Sequence, residues 1–309
     1  MIKNYYLEMN ILILGNSQDA HALAMQQALT KAGARADYFD TSSFPTQLKI
    51  SWEPKTQAGS LILPQGVKLE IGEIHSVFWR SFSGVYVPSL NNSQQQDIAI
   101  NDSMSTLRSF MQACQGRWVN SWQAYQLHKE KPLQLSMVNN IGVSIPQTLV
   151  SNDAEQIIYF TDSLDKAIFK PVYGGTYTKL VTAEHLDPKR LSLALQISPV
   201  KIQEYIPGTN IRSYVIGKSI YAAEIRTSQL DFRLDEKSEL IPLELPSSVQ
   251  KQCLDIAKVL MLEWTAIDWR LKPSGEYVFL EANPSPMFLH FEEKTGFPIT
   301  QQLVKLLMQ

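Results

Sequence analysis

The sequence predicts an α/β protein whose C-terminal part turns to α+β. Three observations predict it. Residues 9–40 read as strand, turn, helix and strand, the β-α-β opening of a parallel sheet. Residues 201–228 and 265–283 read as strands joined by tight glycine turns, the mark of antiparallel pairing. The composition, 44% hydrophobic and 19% charged over 309 residues, is that of a globular chain too long for one simple core.

The elements follow in order. Met9–Leu14 is a compact apolar strand, and Gly15-Asn16-Ser17 is a turn. AHALAMQQALTKAGA carries apolar residues at helical spacing and has Gly33 near its end. RADYFD is the second strand. The turn GNSQDA has one glycine, so it reads first as a structural turn, with a dinucleotide site as the lesser alternative. Residues 40–73 are loop-rich, with short strands such as SLILP and VKLEI. IHSVFWRS, 74–81, is a strand that ends at Trp79-Arg80, and Gln94–Gln115 is a helix. WVNSW, 118–122, reads as a short strand and turn.

The pattern changes near residue 125, where the main domain boundary is placed. KEKPLQLSMVNNIGV is a helix ending at Gly142, and SIPQTLVSND is a strand followed by a helix cap. DKAIFKPV and KLVTAE are strands flanking the turn Tyr173-Gly174-Gly175-Thr176. KIQEYI, NIRSYVIG and SIYAAEIRTS are further strands, the last two around Gly217-Lys218. A helix, SSVQKQCLDIAKVLML, precedes the hairpin TAIDWRL–KPSG–EYVFLEAN, and ITQQLVKLLMQ closes the chain as a helix.

Several classes are excluded early. Net charge is −2, with no basic excess for nucleic acid and no acidic tail. No apolar run approaches the roughly 18 residues that span a bilayer. The apolar stretch near the N-terminus reads as a strand rather than a signal peptide. Cys114 and Cys253 lie far apart and make neither a zinc spacing nor a disulfide framework, so a cytoplasmic location is the default.

The hairpin carries the first chemical signal. Pairing 271 with 276 puts Asp268 opposite Phe279, and a period of two then carries Glu281 and Asn283 onto that face. Diagonal neighbours there lie roughly 7–8 Å apart, so Asp268, Glu281 and Asn283 can converge. Three hard oxygen donors, two of them anionic, suit Mg²⁺. The other reading is a hairpin whose polar residues face solvent. An acid pair inside apolar strands needs a cation or a partner, and Arg270 could be that partner or could hold a phosphate.

A second signal is IFKPVYGG. Lys170 ends an apolar strand, and Gly174 and Gly175 let backbone N–H groups approach phosphate oxygens; the other reading is a plain strand end. A third is Gln203-Glu204-Tyr205-Ile206, a linker whose backbone could read an adenine edge. Arg212, Arg226 and Arg233 follow at intervals that could bring them to one anionic centre.

Taken in order, these pieces resemble the ATP-grasp ligases over most of residues 128–309. The matching stretches are KEKPLQL…GVSIPQTLVSND, FKPVYGG, QEYIPGTNIRSYVIG and DWR…GEYVFLEANPSP. Within that superfamily the chain is most similar to the microviridin-type (graspetide) peptide maturases and the ribosomal-protein glutamate ligases. SVFWRS, AAEIRTSQLDFR and the run through TGFPIT carry the likeness to the maturases.

The resemblance implies an ATP-grasp fold. Residues 1–125 would be an N-terminal preATP-grasp domain with a parallel sheet, 126–206 a central lobe, and 207–309 a C-terminal lobe with a magnesium site. Lys131 and Lys170 look like the phosphate-contacting lysines. Glu204 and Ile206, with Tyr205 between them, look like the adenine linker, and Asn210 sits near the expected ribose contact. Asp268, Glu281 and Asn283 look like the magnesium ligands, with Mn²⁺ as a substitute. Arg212 looks like the arginine that steadies an acyl phosphate, with Arg226 and Arg233 as helpers.

The implied function is ATP- and Mg²⁺-dependent ligation of a carboxylate, on a peptide or protein, to an amine or hydroxyl. It would proceed through an acyl phosphate and release ADP and phosphate, and the resemblance implies a homodimer, as in other family members. A ligase of free amino acids is one competing reading, and a silent nucleotide- or peptide-binding protein is another. The chain departs from the family pattern at Ser81 and at Ser285-Pro286, where substrate contacts are expected. The departures leave the carboxylate donor and the nucleophile open.

Overall fold

The computed structural model describes residues 9–173, 178–227, 229 and 237–309. The chain forms two compact units, one running to Trp122 and including Ser285–Gln309, the other Gln123–Pro284.

In the first unit β1 (Asn10–Leu14), α1 (Ala20–Lys31) and β2 (Arg35–Phe39) make the expected opening, with β1 and β2 parallel. The GNSQDA turn serves the helix: the Asp19 carboxylate caps α1 by accepting from the His21 and Ala22 N–H groups. β3 (Lys49–Trp52), β4 (Gly59–Ile62) and β5 (Lys68–Glu70) form an antiparallel sheet in that order. β6 (Ile74–Trp79) returns beside β1, and after α2 (Ser93–Ala113), β7 (Arg117–Val119) completes a parallel sheet ordered β2-β1-β6-β7. Ile11–Leu14 and Val77–Trp79 are buried, as strands covered on both faces require.

The second unit begins at the second residue of α3 (Trp122–Lys129), a helix that starts where the sequence suggested a strand and turn up to Trp122, and continues with α4 (Lys131–Asn140). One antiparallel sheet, ordered β10-β9-β11-β8, is built from β8 (Thr148–Ser151), β9 (Ala167–Lys170), β10 (Lys179–Leu180) and β11 (Val200–Glu204). The strand expected over 179–184 pairs only at its first two residues. Ile157 of α5 (Ala154–Asp162) and Leu191 and Leu195 of α6 (Pro188–Leu195) close one face of this sheet over Ala167, Val200 and Ile202.

A larger antiparallel sheet, ordered β14-β13-β12-β15-β16, comprises β12 (Thr209–Ile216), β13 (Ser219–Arg226), β14 (Glu239–Leu243), β15 (Trp264–Leu271) and β16 (Tyr277–Asn283). α7 (Ser247–Val259) covers one face, with Val249, Cys253 and Ile256 at helical spacing against Val215, Ile267, Trp269 and Phe279. Burying a side chain such as Phe279 contributes about 2–3 kcal/mol. The buried Trp269 indole N–H donates to Ser213 Oγ at 2.9 Å, so its polar atom is satisfied. Strand alternation then leaves Asn210, Arg212, Asp268 and Arg270 to the other face.

The hairpin register differs from the expected one. Pro273-Ser274-Gly275 is a three-residue loop: Lys272 N–H donates to Glu276 O, and Gly275 takes φ +87°. Trp269 therefore stands opposite Phe279, and both enter the core. Asp268 and Phe279 do not share a face. A bulge between Asp268 and Trp269 then shifts the ladder, and Asp268 stands opposite Glu281. Without that extra residue, Leu280 would face Asp268 and Glu281 would point into the core.

After β16 the chain rejoins the first unit through α8 (Leu289–Thr295) and α9 (Ile299–Leu307). Ser76 Oγ donates to Leu307 O at 2.7 Å, and Arg80 Nη1 donates to Ser285 O at 3.0 Å. These bonds tie down a segment that the sequence reading had grouped with residues 207–284. No described helix is long and apolar enough to cross a membrane.

Candidate active site

A cavity in the second unit is lined from both of its antiparallel sheets and from α4. Lys131, Lys170, Lys201, Arg212 and Arg270 bring positive charge to its wall, and Glu204, Asp268 and Glu281 bring negative charge. Cations outnumber carboxylates by two among these side chains, which favours an anionic occupant.

Asp268 and Glu281 sit on β15 and β16. Arg212 lies opposite Asp268 on the neighbouring strand, and its Nε and Nη2 donate to the two Asp268 oxygens at 2.7 and 2.8 Å. Burial opposes the Arg212 charge, but the paired Asp268 carboxylate outweighs it, so the guanidinium holds its proton more firmly than usual. Lys131, at the start of α4, donates from Nζ to Glu281 Oε2 at 3.1 Å, and Asn283 Nδ2 donates to Oε1 at 3.3 Å. Burial works against the Glu281 charge too, yet Lys131 holds its carboxyl well below the ordinary range.

The edge strand β16 is fixed by α4. The buried Gln134 donates from Nε2 to Ala282 O at 3.0 Å and accepts at Oε1 from Ala282 N–H at 3.0 Å. This amide clamp satisfies a sheet edge that would otherwise be open. It also sets the backbone between Glu281 and Asn283.

On the opposite sheet, Lys170 donates from Nζ to Gln203 Oε1 at 3.1 Å, and Gln203 Nε2 donates to Thr148 Oγ1 at 3.0 Å. Lys201 stands beside Lys170 on the adjoining strand. The linker Glu204-Tyr205-Ile206 is braced from several sides. Glu204 Oε2 accepts from Gln147 N–H at 3.1 Å, and Tyr205 N–H donates to Lys166 O at 2.9 Å. Arg270 donates from Nε to Ile206 O at 3.0 Å and from Nη1 to Asn210 Oδ1 at 2.7 Å. Lys166 Nζ lies 4.6 Å from the Tyr205 ring centroid. Ile206 is buried at the cavity wall, and among the described residues its N–H donates no hydrogen bond.

The structure thus brings together Lys131, Lys170, Glu204, Tyr205, Ile206, Asn210, Arg212, Asp268 and Glu281, with Asn283 bonded to Glu281. It does not bring Arg226 to them. Arg212 stands opposite Ala223, so Arg226, three residues on, projects to the other face and pairs with Glu224 at 3.0 Å. Gly174, Gly175 and Arg233 lie outside the described residues. Sequence reasoning did not single out Gln134 or Lys201. The alternation Lys201-Ile202-Gln203 was the available signal for Lys201, since it puts two polar side chains on one strand face.

Among the described residues no three His, Cys, Asp or Glu gather to hold a metal. The donor set here is two opposed carboxylates and one amide, which fits a hard divalent cation and not zinc.

Comparison with known proteins gives the same outline. The MvdD pre-ATP grasp domain model matches residues 10–126, and the RimK-like ATP-grasp domain model matches residues 126–307. The fold is similar to that of the macrocyclase MdnC bound with precursor peptide MdnA from Microcystis aeruginosa MRC. The identity is 28% and the TM-score 0.85, over 97% of this chain and 100% of that one. It is also similar to the ATP-grasp ligase PsnB complexed with a phosphomimetic variant of minimal precursor, Mg and ADP. There the identity is 25% and the TM-score 0.83, over 97% and 98% of the two chains. The alpha-aminoadipate–LysW ligase LysX of Sulfurisphaera tokodaii (strain DSM 16993 / JCM 10545 / NBRC 100140 / 7) is 24% identical over 191 residues, 57% of this chain and 66% of the relative. The chain spans just under two thirds of the length of the curated relatives it matches. The RimK-like model runs through every strand that lines the cavity and covers more than half of the chain, so this protein belongs to the RimK-like ATP-grasp family.

Proposed function

We propose that this protein is an ATP-dependent ligase that activates a carboxylate on a peptide and joins it to an amine or a hydroxyl. One observation carries the reading: Asp268 and Glu281 oppose each other in a cavity whose remaining wall is rich in lysine and arginine. Carboxylates for a metal and ammonium groups for phosphates are the two halves of a nucleotide triphosphate site. The peptide preference is supported by the likeness, over nearly the whole chain, to MdnC, solved with a precursor peptide, and to PsnB, solved with a variant of its minimal precursor.

Asp268, Glu281 and Asn283 would hold the divalent cation, which when bound neutralises charge at the transferring phosphoryl group. Lys131 from α4 and Lys170 from β9 neutralise phosphate oxygens. The Ile206 N–H reads the adenine edge, and Asn210 lies toward the ribose. Arg212, locked by Asp268, keeps a fixed positive charge where the activated carboxyl becomes an anionic acyl phosphate. The carboxylate oxygen attacks the γ-phosphorus and ADP leaves. The amine or hydroxyl then attacks the carbonyl, and inorganic phosphate leaves. The side chains need only orient and neutralise, since no covalent bond to the protein forms.

The test is ADP release from ATP with Mg²⁺ in the presence of acidic peptides, of the same peptides with amidated carboxyls, and of free glutamate. The proposal expects turnover and a dehydrated product with the acidic peptides only. Turnover with free glutamate alone would move the protein to amino-acid ligation. No turnover with any carboxylate would overturn the reading.

A further inference from the structure

We propose that Lys201 is a third phosphate-contacting lysine of the nucleotide site, beyond the pair Lys131 and Lys170. This rests on the ATP reading above and deepens it. The register of β9 and β11 puts Lys201 directly opposite Lys170. Side chains so paired leave the same face with Cβ atoms roughly 4.5–5.5 Å apart, and like charges there repel. Both line the cavity, and Lys201 is only 8% exposed.

The wall offsets that arrangement only in part, through the charge of Glu281. Glu281 accepts from Lys131, Asp268 is taken by both arms of Arg212, and Gln203 accepts from Lys170. Among the described residues the Lys201 ammonium has no hydrogen-bond partner. Burial first, and then Lys170, pushes it down to about 8, so its charge is held less firmly than that of a solvated lysine. An anion that joins the three ammonium groups relieves both their repulsion and the cost of burying Lys201. An oligophosphate chain supplies several anionic oxygens in a row and can meet three ammonium groups at once. Ile202 and Val200, on the other face of β11, pack in the core, so the strand cannot slip to carry Lys201 away.

The test compares wild type, K201M and K201R for binding of MgADP and of adenosine by calorimetry, and for thermal unfolding without nucleotide. K201M is expected to weaken MgADP binding by about tenfold or more, the scale of a lost charge-assisted contact, and to leave adenosine binding unchanged. K201R is expected to retain most of the MgADP affinity. K201M without nucleotide is expected to melt at or above the wild-type temperature, because a repulsion is removed. A purely structural lysine would give the reverse, a lower melting temperature with unchanged MgADP affinity, and that result would overturn the proposal. Failure of the wild type to bind MgADP would overturn the ATP reading as well. Wild-type binding matched by K201M would overturn this inference alone.

Discussion

Asp268 faces Glu281 because β16 carries one residue more than a regular ladder needs. The loop Pro273–Gly275 sets Trp269 against Phe279, and the bulge then turns Glu281 from the core to the cavity. Each carboxylate is held by its own cation, Arg212 for Asp268 and Lys131 for Glu281. The first pair is the more enclosed, with side-chain exposures of 20% and 11%, against 11% and 40% for the second.

Glu281→Gln and Asp268→Asn should therefore part company in stability while agreeing in activity. Both remove an anionic oxygen from the proposed metal site, and each should lower Mg²⁺-dependent ADP release on the order of a hundredfold or more. Asp268→Asn also strands the Arg212 guanidinium, and breaking such a buried pair costs about 3–5 kcal/mol. Glu281→Gln removes one 3.1 Å contact at the more exposed carboxylate and should cost well under half as much. Urea unfolding and initial rates on the two variants check this. Equal destabilisation would sink the argument, and so would full activity in Glu281→Gln.

Arg270 acts on the linker from behind. Its bonds to Ile206 O and Asn210 Oδ1 fix the segment proposed to read adenine and ribose. Arg270→Met should raise KM for ATP on the order of tenfold with a smaller change in kcat, because ground-state and transition-state binding of the base weaken together. Discrimination of ATP from GTP should relax in the same variant, since a loosened backbone edge no longer excludes the wrong pattern of donors and acceptors. Arg270→Lys should rescue little, because an ammonium cannot span both acceptors in a fixed fork. A variant with the wild-type KM and unchanged ATP/GTP preference would show that Arg270 only supports the fold.

What the sequence displayed and what it hid divide along physical lines. The opening β1-α1-β2 is local, with an apolar strand, a capped turn and a periodic helix, so it could be read directly. Lys170 announced itself by ending an apolar strand before Pro171. The bulge at Asp268 had no local signature, because it arises from the pairing of two strands. The expected register, one residue out, reached the right face for Glu281 only because a missed bulge offset a misjudged loop. Lys201 reads as a solvent-facing strand residue until a second sheet and α4 are known to cover that face. The return of Ser285–Gln309 to the first unit depends on bonds such as Ser76–Leu307, made across most of the chain length. Arg226 looked like a partner of Arg212 by spacing, but strand parity in β13 sends it elsewhere.

His128 provides a pH test of the wall behind Glu281. Burial first, and then the neighbouring Lys131 ammonium, push its imidazole down to about 4, while Glu281 and the Ala282 carbonyl pull weakly the other way. The folded protein therefore keeps His128 neutral where the unfolded chain, near 6.5, already takes up a proton. Stability from this residue is fully present above about pH 6.5 and falls as the pH drops toward 4. The total is at most about 3 kcal/mol for a shift of this size. Its Nδ1 lies 3.2 Å from Ala282 O, so protonation would also load charge onto the segment that carries Glu281 and Asn283. His128→Gln, which does not titrate, should flatten the wild-type loss of urea resistance between pH 6.5 and 4.5. Parallel pH profiles for the two proteins would mean that His128 is solvated in the folded state and that the wall around Glu281 is more open than this geometry implies.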